Sequence, residues 1–373
     1  MKRAILIFLL FLLFLPFIGC NKKDDFQSRN KFELLENGLS YRFAGYNSNG
    51  MVNYDIIIPE EYEGLPVTVI GENALSSSKV NTIFVSKTIT ALEGNQSISN
   101  SVTSIIVDED YQVFDSRNNC NAIIETETDK LIIGCCKTVI PNTVKEIGKY
   151  AFYGLSFGST IEIPNSVEII DDYAFSSTHM DAIALPESLK VLGDGAFGEA
   201  RIRAIRLPRS LEVIGDYCFY RTQIINLKIY DNVSSIGKGI TSMNNFLQKI
   251  EVIDNPFFDS RDNCNAIIET NTNTLIAGSS NTIIPNSVES IANDALYGIH
   301  YSKLLIPKSV KFIGYQALYA PWKDSILEFE ITSSWKIYQK ADKKTSVSFS
   351  DDHTYTYEQY YGYYWINEGD DGK

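Results

Sequence analysis

Hydrophobic and polar positions recur with a fixed period along most of the chain. The prolines that mark it follow one another at intervals of 23, 22 and 22 residues, at Pro141, Pro164, Pro186 and Pro208. The residues one and three positions before each proline are apolar, for example Ile161 and Ile163. Because side chains alternate between faces along a strand, this spacing predicts a short strand with one buried face. The strand ends at proline, which has no amide hydrogen for a ladder.

The residues after each proline repeat as well. The third and sixth are aliphatic, as in Val167 and Ile170, and an Ala-Phe type of pair such as Ala174-Phe175 follows. We expect this pair to form a short helical turn whose Phe fills the space between coils. The second residue after the proline position has a short hydrogen-bonding side chain, for which we expect a polar ladder: Thr88, Thr143, Ser166, Ser188, Ser210, Asn232, Ser287 and Ser309. No coil can bury its apolar face alone, so the pattern predicts a stacked solenoid.

The full repeat reads aliphatic-x-Ile-Pro-x-Ser-Val-x-x-Ile-Gly-x-x-Ala-Phe and stands almost unchanged in 161–175 and 205–219. It resembles the BspA-like leucine-rich-repeat family of bacterial cell-surface lipoproteins, from about Ile56 to Leu318. The resemblance implies a leucine-rich-repeat solenoid of stacked 22–23-residue coils, with a parallel β-sheet, short helical turns and β caps at both ends. We place the repeats at 67–331.

A second, longer duplication lies on top of the first. The segment 115–126 recurs at 259–270, an offset of 144 residues. Strand-like runs and turn residues predict hairpin inserts near 115–138 and 259–282. The alternative is a metal or catalytic site built from Asp115, Arg117, Cys120 and Glu125. Since two copies in one chain are explained more simply by structure, we favour the insert.

Both ends of a solenoid expose its core and need covering. An Asn37-Gly38 turn between two strand-like runs predicts an N-terminal β cap at 31–66. The C-terminal 332–373 segment is rich in tyrosine, including Tyr360 and Tyr361. We expect its rings to seal the last coil; a sugar-stacking patch is the alternative.

The amino terminus has the features of an export signal. Lys2 and Arg3 precede an apolar run from Ala4 to Phe17, too short for a comfortable membrane span. The run ends in Phe17-Ile18-Gly19-Cys20, which resembles a lipobox although Phe17 replaces the usual leucine. We expect a signal peptide at 1–19, a lipid on Cys20 and a tether at 20–30. A plain secretory signal is the alternative for Cys20, and the Lys22-Lys23-Asp24-Asp25 run of the tether resembles a surface-export signal.

The composition limits the classes of function and cofactor that we expect. The net charge of −13 becomes −15 once 1–19 is removed, which argues against nucleic-acid binding. No HExxH, CxxC pair or GxGxxG occurs, so no metal, redox or dinucleotide cofactor is expected. Beyond Cys20, the odd number of cysteines does not make a complete disulfide framework, so we expect mainly small buried side chains. A local pair of Cys120 with Cys135 or Cys136 stays open.

These observations favour a non-enzymatic recognition or adhesion lipoprotein, exposed on the bacterial outer membrane. The resemblance implies binding of an extracellular protein or glycan. A structural spacer is the alternative, and an extracellular hydrolase, with its carboxylates at Asp171-Asp172 or 108–110, is the least favoured. In each strand before the proline position the middle residue points outward, which predicts a partner-binding row about 45 Å long: Phe84, Ile106, Val139, Glu162, Ala184, Arg206, Lys228, Glu251, Ile283 and Leu305. The apolar start of this row and the basic pair Arg206 and Lys228 are its distinctive parts.

Overall fold

The computed structural model describes residues 29–47, 54–76, 79–109, 113–158, 160–322 and 325–330, with short segments at 335–338, 346–347, 354–355 and 364–367. Within these residues the chain is a β-solenoid of about 12 stacked parallel turns. The predicted solenoid is therefore confirmed. The expected signal peptide, Cys20 and most of the tether lie outside the described residues.

In most coils one strand lies where the sequence predicts it, just before the proline position, whereas the segments before Pro141, Pro164 and Pro285 do not form a regular strand. Corresponding strands pair in parallel within four small sheets. They are Tyr54–Ile57, Val80–Val85, Ser104–Val107, Ala182–Ala184, Ala204–Arg206, Asn226–Ile229, Lys249–Val252, Lys303–Ile306 and Ile326–Phe329.

Each coil also has a second strand that the pattern did not predict. It comes five to six residues after the proline position and forms the longer ladders, including two eight-stranded sheets. These strands are Leu65–Ile70, Ala91–Leu92, Glu146–Ile147, Ile169–Ile170, Val191–Leu192, Val213–Ile214, Ser235–Ile236, Ser290–Ile291 and Phe312–Ile313. Most have only two residues, which is too short for an alternation of apolar and polar side chains to be recognised.

The Ala-Phe segments form short turns that do not continue into helices. The residue before the Ala has a left-handed backbone, with φ of 58° at Tyr150 and 54° at Tyr173. The amide of Ala151 bonds within the turn, to the carbonyl of Gly148 at 3.1 Å, whereas that of Phe152 donates to the carbonyl of Ala174 in the next coil at 2.9 Å. Because every second amide bonds between coils, no regular helix follows. The helices of the described residues are two 3-10 turns, Arg117–Asn119 and Arg261–Asn263.

The phenylalanines of these turns form a ladder along the core. Phe152, Phe175, Phe197 and Phe219 are all fully buried. Their ring centroids are 5.0, 5.4 and 6.2 Å apart in sequence order, with stacked planes. The predicted packing between coils is therefore confirmed for these residues.

Polar ladders hold neighbouring coils in register. Ser188 and Ser210 each donate a hydroxyl hydrogen bond of 2.7 Å to a carbonyl of the preceding coil, as predicted, whereas the buried hydroxyls of Ser166 and Ser309 make no hydrogen bond. An aspartate ladder runs beside the second strands. Asp172 accepts from the amide of Asp194 at 2.9 Å, and Asp194 accepts from that of Asp216 at 2.8 Å. These bonds satisfy turn amides that the strands leave unpaired.

The two duplicated segments form the predicted hairpins. Their strands are Phe114–Asp115, Ala122–Glu125 and Lys130–Gly134 in the first copy, and Phe258–Asp259, Ala266–Glu269 and Thr274–Gly278 in the second. Each hairpin lies on a new eight-stranded sheet, because its last strand pairs in parallel with the second strand of the next coil. The inserts thus divide the second-strand ladder into blocks.

The described parts of both caps cover the core. At the N-terminal end, Asn30–Leu34 and Tyr41–Tyr46 form an antiparallel pair, and Glu61–Tyr62 pairs with Leu65–Ile70. At the other end, Tyr364–Asn367 lies between Phe312–Ile313 and Trp335–Tyr338, while Ser346–Val347 and Thr354–Tyr355 add short strands. Trp335 and Trp365 are both 5% exposed and pack against Phe329. Tryptophan rings therefore seal the last coils, whereas the tyrosine side chains of the tail lie outside the description.

Candidate recognition surface

The middle residues of the strands before the proline position face outward, as expected; we call the ten of them the outward row. Ile106, Val139, Ile283 and Leu305 are 41%, 73%, 67% and 45% exposed. Glu162, Ala184, Arg206 and Lys228 are exposed as well, whereas Phe84 and Glu251 are half-buried. Such exposure of large aliphatic side chains in one column is unusual for a surface that contacts only water.

The outward row is divided into short sections. Ile57 lies one coil before the ten residues and is the direct partner of Phe84, which in turn pairs with Ile106. We therefore count Ile57 with the row, and these three residues form its apolar section. The first insert then intervenes, since Val139 donates its amide to the carbonyl of Cys120 at 3.0 Å. Ile283 makes the same contact with Cys264 at 2.9 Å in the second copy. The row thus offers separate patches along the solenoid.

Two concavities lie along the middle of the outward row. The first, of about 740 Å³, is lined by Val139, Glu162 and the neighbouring Phe157. The second, of about 520 Å³, is lined by Ala184, Arg206 and mainly small or aliphatic residues of the same strands. Thr160 lines both. The middle of the row is therefore a shallow groove, with mixed polar and apolar walls in its first part and mainly apolar walls in its second.

The basic pair of the row already has acidic partners. The guanidinium of Arg206 contacts the carboxylate of Glu187, and the ammonium of Lys228 lies 3.2 Å from Glu251. Hydrogen bonds from Lys249 and from Lys228 hold the pKa of Glu251 below its ordinary value. An acidic partner that docks here would have to compete with these carboxylates.

The duplicated Asp and Arg residues make a structural clamp. Arg117 donates to both carboxylate oxygens of Asp115, at 2.8 and 2.6 Å, and to Asp129 at 2.7 Å. Burial disfavours the charged form of Asp115, but the hydrogen bonds and charge of Arg117 outweigh it and lower the pKa. Arg261 clamps Asp259 in the same way. Such a bidentate pair ties the 3-10 turn to its hairpin.

The cysteines in this region are also structural. All five described cysteines are free thiols, and four of them are buried. Burial raises the pKa of Cys120 and Cys264 to about 11. A thiol with such a pKa is almost wholly protonated at neutral pH and is a poor nucleophile.

The other acidic cluster has structural contacts as well. Asp171 pairs with Lys130 at 3.0 Å, and Asp172 belongs to the aspartate ladder. In the part of the chain that the structure describes, no group of three His, Cys, Asp or Glu side chains has the arrangement for a metal ion. None of the described residues forms a helix with the length and hydropathy that a bilayer crossing needs.

Sequence reasoning missed one further concavity, which we call the tyrosine cleft. It has a volume of about 410 Å³ and lies on the turn side of the coils, among Tyr173, Tyr217, Tyr220, Tyr297 and Asp294. A signal for it is present in the sequence, because tyrosines flank the Ala-Phe type of pair at 150–153 and 217–220.

Stacked parallel coils, a two-stranded repeat and an inter-coil phenylalanine ladder define a leucine-rich-repeat solenoid. The model for the BspA-type leucine-rich repeat region matches residues 134–248 and 266–361, with 6 copies. The chain therefore belongs to the BspA-type leucine-rich-repeat family.

Three solved structures of bacterial proteins are similar to this chain, and one of them is described as a cell surface protein. A leucine-rich cell surface protein from Faecalibacterium prausnitzii is 22% identical, with 81% of this chain and 75% of that chain covered and a TM-score of 0.48. A leucine-rich-repeat protein from Bacteroides ovatus is 19% identical, with 80% of each chain covered and a TM-score of 0.38. The pneumococcal vaccine antigen PcpA is 17% identical, with 81% and 68% covered and a TM-score of 0.42. A comparison with curated proteins gives no match.

Proposed function

We propose that this protein is a non-enzymatic recognition module, held on the surface of a bacterial outer membrane by a lipid on Cys20. It binds an extracellular protein through the outward row. Membership of a family of bacterial surface repeat proteins supports a binding or adhesion role.

The observation that carries this proposal is the apolar section of the outward row. Ile57 and Ile106 are 45% and 41% exposed and flank Phe84 on adjacent strands. Exposed aliphatic groups in register offer a protein partner area from which water is excluded on binding. A glycan, with its dense hydroxyl groups, would leave such a surface without polar contacts, so the row favours a protein.

The groove in the middle of the row extends this surface. Its two concavities meet at Thr160 and are lined by side chains from several coils. A repeat surface of this kind suits an extended partner, which gains contacts from each coil. We therefore expect affinity to depend on more than one section of the row.

The test begins with a binding screen of the purified mature protein against extracellular-matrix proteins and a glycan array. For a protein that binds, the double variant Ile57→Ser with Ile106→Ser is compared with Leu39→Ser. Leu39 is 68% exposed in the turn of the N-terminal cap, outside the outward row. The row variant should weaken binding by about tenfold or more, whereas the control should not.

Three results would contradict the proposal. Unchanged affinity of the row variant with an intact circular dichroism spectrum would move the site elsewhere. Binding to glycans alone would mean that the partner is a glycan and not a protein. Absence of any binding in the screen would favour the structural spacer.

A further inference from the structure

We infer that the tyrosine cleft binds a neutral pyranose sugar. The cleft shares no residue with the outward row, so this inference goes beyond the proposed function. It rests on the spacing of the aromatic rings, on the buried carboxylate at the base of the cleft and on the local distribution of charge.

Two glycines, Gly195 and Gly239, interrupt the column of tyrosines that lines the cleft, and the preceding tyrosine ring packs over each of them. Tyr150 and Tyr173 stack at 5.1 Å in adjacent coils, with their planes 6° apart. The next coil has Gly195 in the same position, where a Cβ atom would lie 2.5 Å from the ring of Tyr173. Tyr217 follows in the coil after that. Two coil spacings set Tyr173 and Tyr217 about 10 Å apart along the axis, which leaves room for a flat ligand.

Small residues continue this opening towards the core. Ser176, Gly195 and Gly198 line the cleft and are buried, so no bulky side chain fills it. Tyr220 and Tyr297 complete the aromatic wall. The volume of about 410 Å³ lies within the range of small-molecule sites in proteins.

A buried carboxylate provides the polar contact. Asp294 is 6% exposed, lines the cleft and accepts a hydrogen bond of 2.7 Å from the hydroxyl of Tyr217. Burial and this hydrogen bond raise the pKa of Tyr217, so its hydroxyl stays protonated. Among the described residues, no Lys or Arg forms an ion pair with Asp294. A ligand hydroxyl that donates to this carboxylate would gain a charge-assisted hydrogen bond.

The charges around the cleft favour a neutral ligand. Glu199 and Asp294 both line it. Two lysines pack over tyrosine rings of the cleft, and each has its own carboxylate: Lys149 with Asp172 at 3.2 Å and Lys238 with Asp216 at 3.8 Å. An acidic sugar would therefore meet two carboxylates without a free cation.

A pyranose matches both properties of the cleft. One face of its ring carries C–H bonds with partial positive charge, which pack on the negative face of an aromatic ring. Its edge carries hydroxyl groups, which suit Asp294, Glu199 and Gln316. A purely apolar ligand would leave the Asp294 carboxylate without a new partner, and burying it further would be unfavourable.

The experiment is saturation-transfer NMR on the full mature chain with three probes: methyl β-D-glucopyranoside, methyl β-D-galactopyranoside and methyl α-D-mannopyranoside. N-acetylneuraminic acid is the acidic comparison. We expect transfer to the ring C–H protons of at least one neutral probe and none to the acidic sugar. Tyr173→Ala should weaken binding of that probe by about tenfold or more.

The matched control is Tyr153→Ala. Tyr153 is 37% exposed and Tyr173 is 36% exposed on the same side of the solenoid, but Tyr153 does not line the cleft. Tyr217→Phe tests the polar contact of the cleft, because this substitution keeps the aromatic ring and removes the hydrogen bond to Asp294. This variant should weaken binding while circular dichroism stays unchanged.

Three results would overturn the inference: no transfer to any neutral pyranoside, equal loss in the Tyr153 and Tyr173 variants, or preference for N-acetylneuraminic acid. Variants of the outward row should leave sugar binding unchanged. A failure of this inference is thus distinguishable from a failure of the proposed function.

Discussion

Truncation of the phenylalanine ladder at Phe197 should destabilise the whole solenoid. Phe197 is fully buried, and its ring lies 5.4 Å from Phe175 and 6.2 Å from Phe219. Replacement of a buried Phe by Ala typically costs about 3–5 kcal/mol. Two stacked contacts are lost at once, each worth about 0.5–1.5 kcal/mol beyond its area, so we expect the upper part of that range. The fixed backbone bonds between the coils prevent the cavity from collapsing fully.

The assay is equilibrium unfolding in urea, followed by far-ultraviolet circular dichroism. Trp322, Trp335 and Trp365 lie at the C-terminal end and provide a second, fluorescent probe. Coils contact only their neighbours, so a defect in the middle should uncouple the C-terminal coils from the rest. The unfolding transitions followed by circular dichroism and by tryptophan fluorescence should then have different midpoints. The control is Phe246→Ala, at a phenylalanine that is 56% exposed and should change stability by less than about 0.5 kcal/mol. A loss below about 1 kcal/mol at Phe197 would refute the packing argument.

Three further predictions address the anchor, the thiols and the ladders. Mass spectrometry of the membrane-extracted protein should find acyl chains on an N-terminal Cys20; a free Asn21 or an intact Met1 would rule this out. Cys218, whose pKa is raised by burial, should resist iodoacetamide at pH 8 until the protein unfolds, and rapid labelling of the native protein would contradict its burial. Asp115 has a lowered pKa in the folded state, so its stabilisation is complete above about pH 4 and is lost as the pH falls further. With Asp115→Asn, the free energy of unfolding should fall less steeply as the pH drops below about 4. An unchanged pH dependence would contradict the stabilising role of the clamp.

The repeat could be predicted from the sequence because its core positions are apolar in one coil after another. The residue one place before each proline, the aliphatic residues after it and the turn phenylalanine all face the interior, and each recurs in phase. The second strands were missed since a two-residue ladder such as Val191–Leu192 leaves no alternation to recognise. The short turn was expected, but Ala-Phe spacing alone does not tell which amides bond within the turn and which to the next coil.

The tyrosine cleft depends on contacts that the linear pattern does not contain. Tyr173, Gly195 and Tyr217 occupy one column of the repeat and could have been aligned from the sequence. Asp294, however, follows Tyr217 by 77 residues. The second hairpin insert lies between them in sequence, yet it occupies the strand side of the stack, where its last strand pairs with Ser290–Ile291. Coil 237–247 therefore contacts coil 290–299 directly, and Met243 donates its amide to the carbonyl of Tyr297 at 2.8 Å.

Departures from the repeat are therefore more informative about binding than the repeat itself. A core column such as the phenylalanine ladder tolerates little change, because every substitution affects two neighbouring coils. The turn column is less constrained, and its residues vary from tyrosine to glycine and aspartate. Gly195 and Gly239 interrupt its tyrosines at positions with φ of 57° and 60°, which glycine adopts without strain, and the rings of Tyr173 and Tyr217 pack over them. In a solenoid whose stability comes from uniform coils, the grouping of Tyr173, Tyr217 and Asp294 around one concavity is the feature that a binding function explains best.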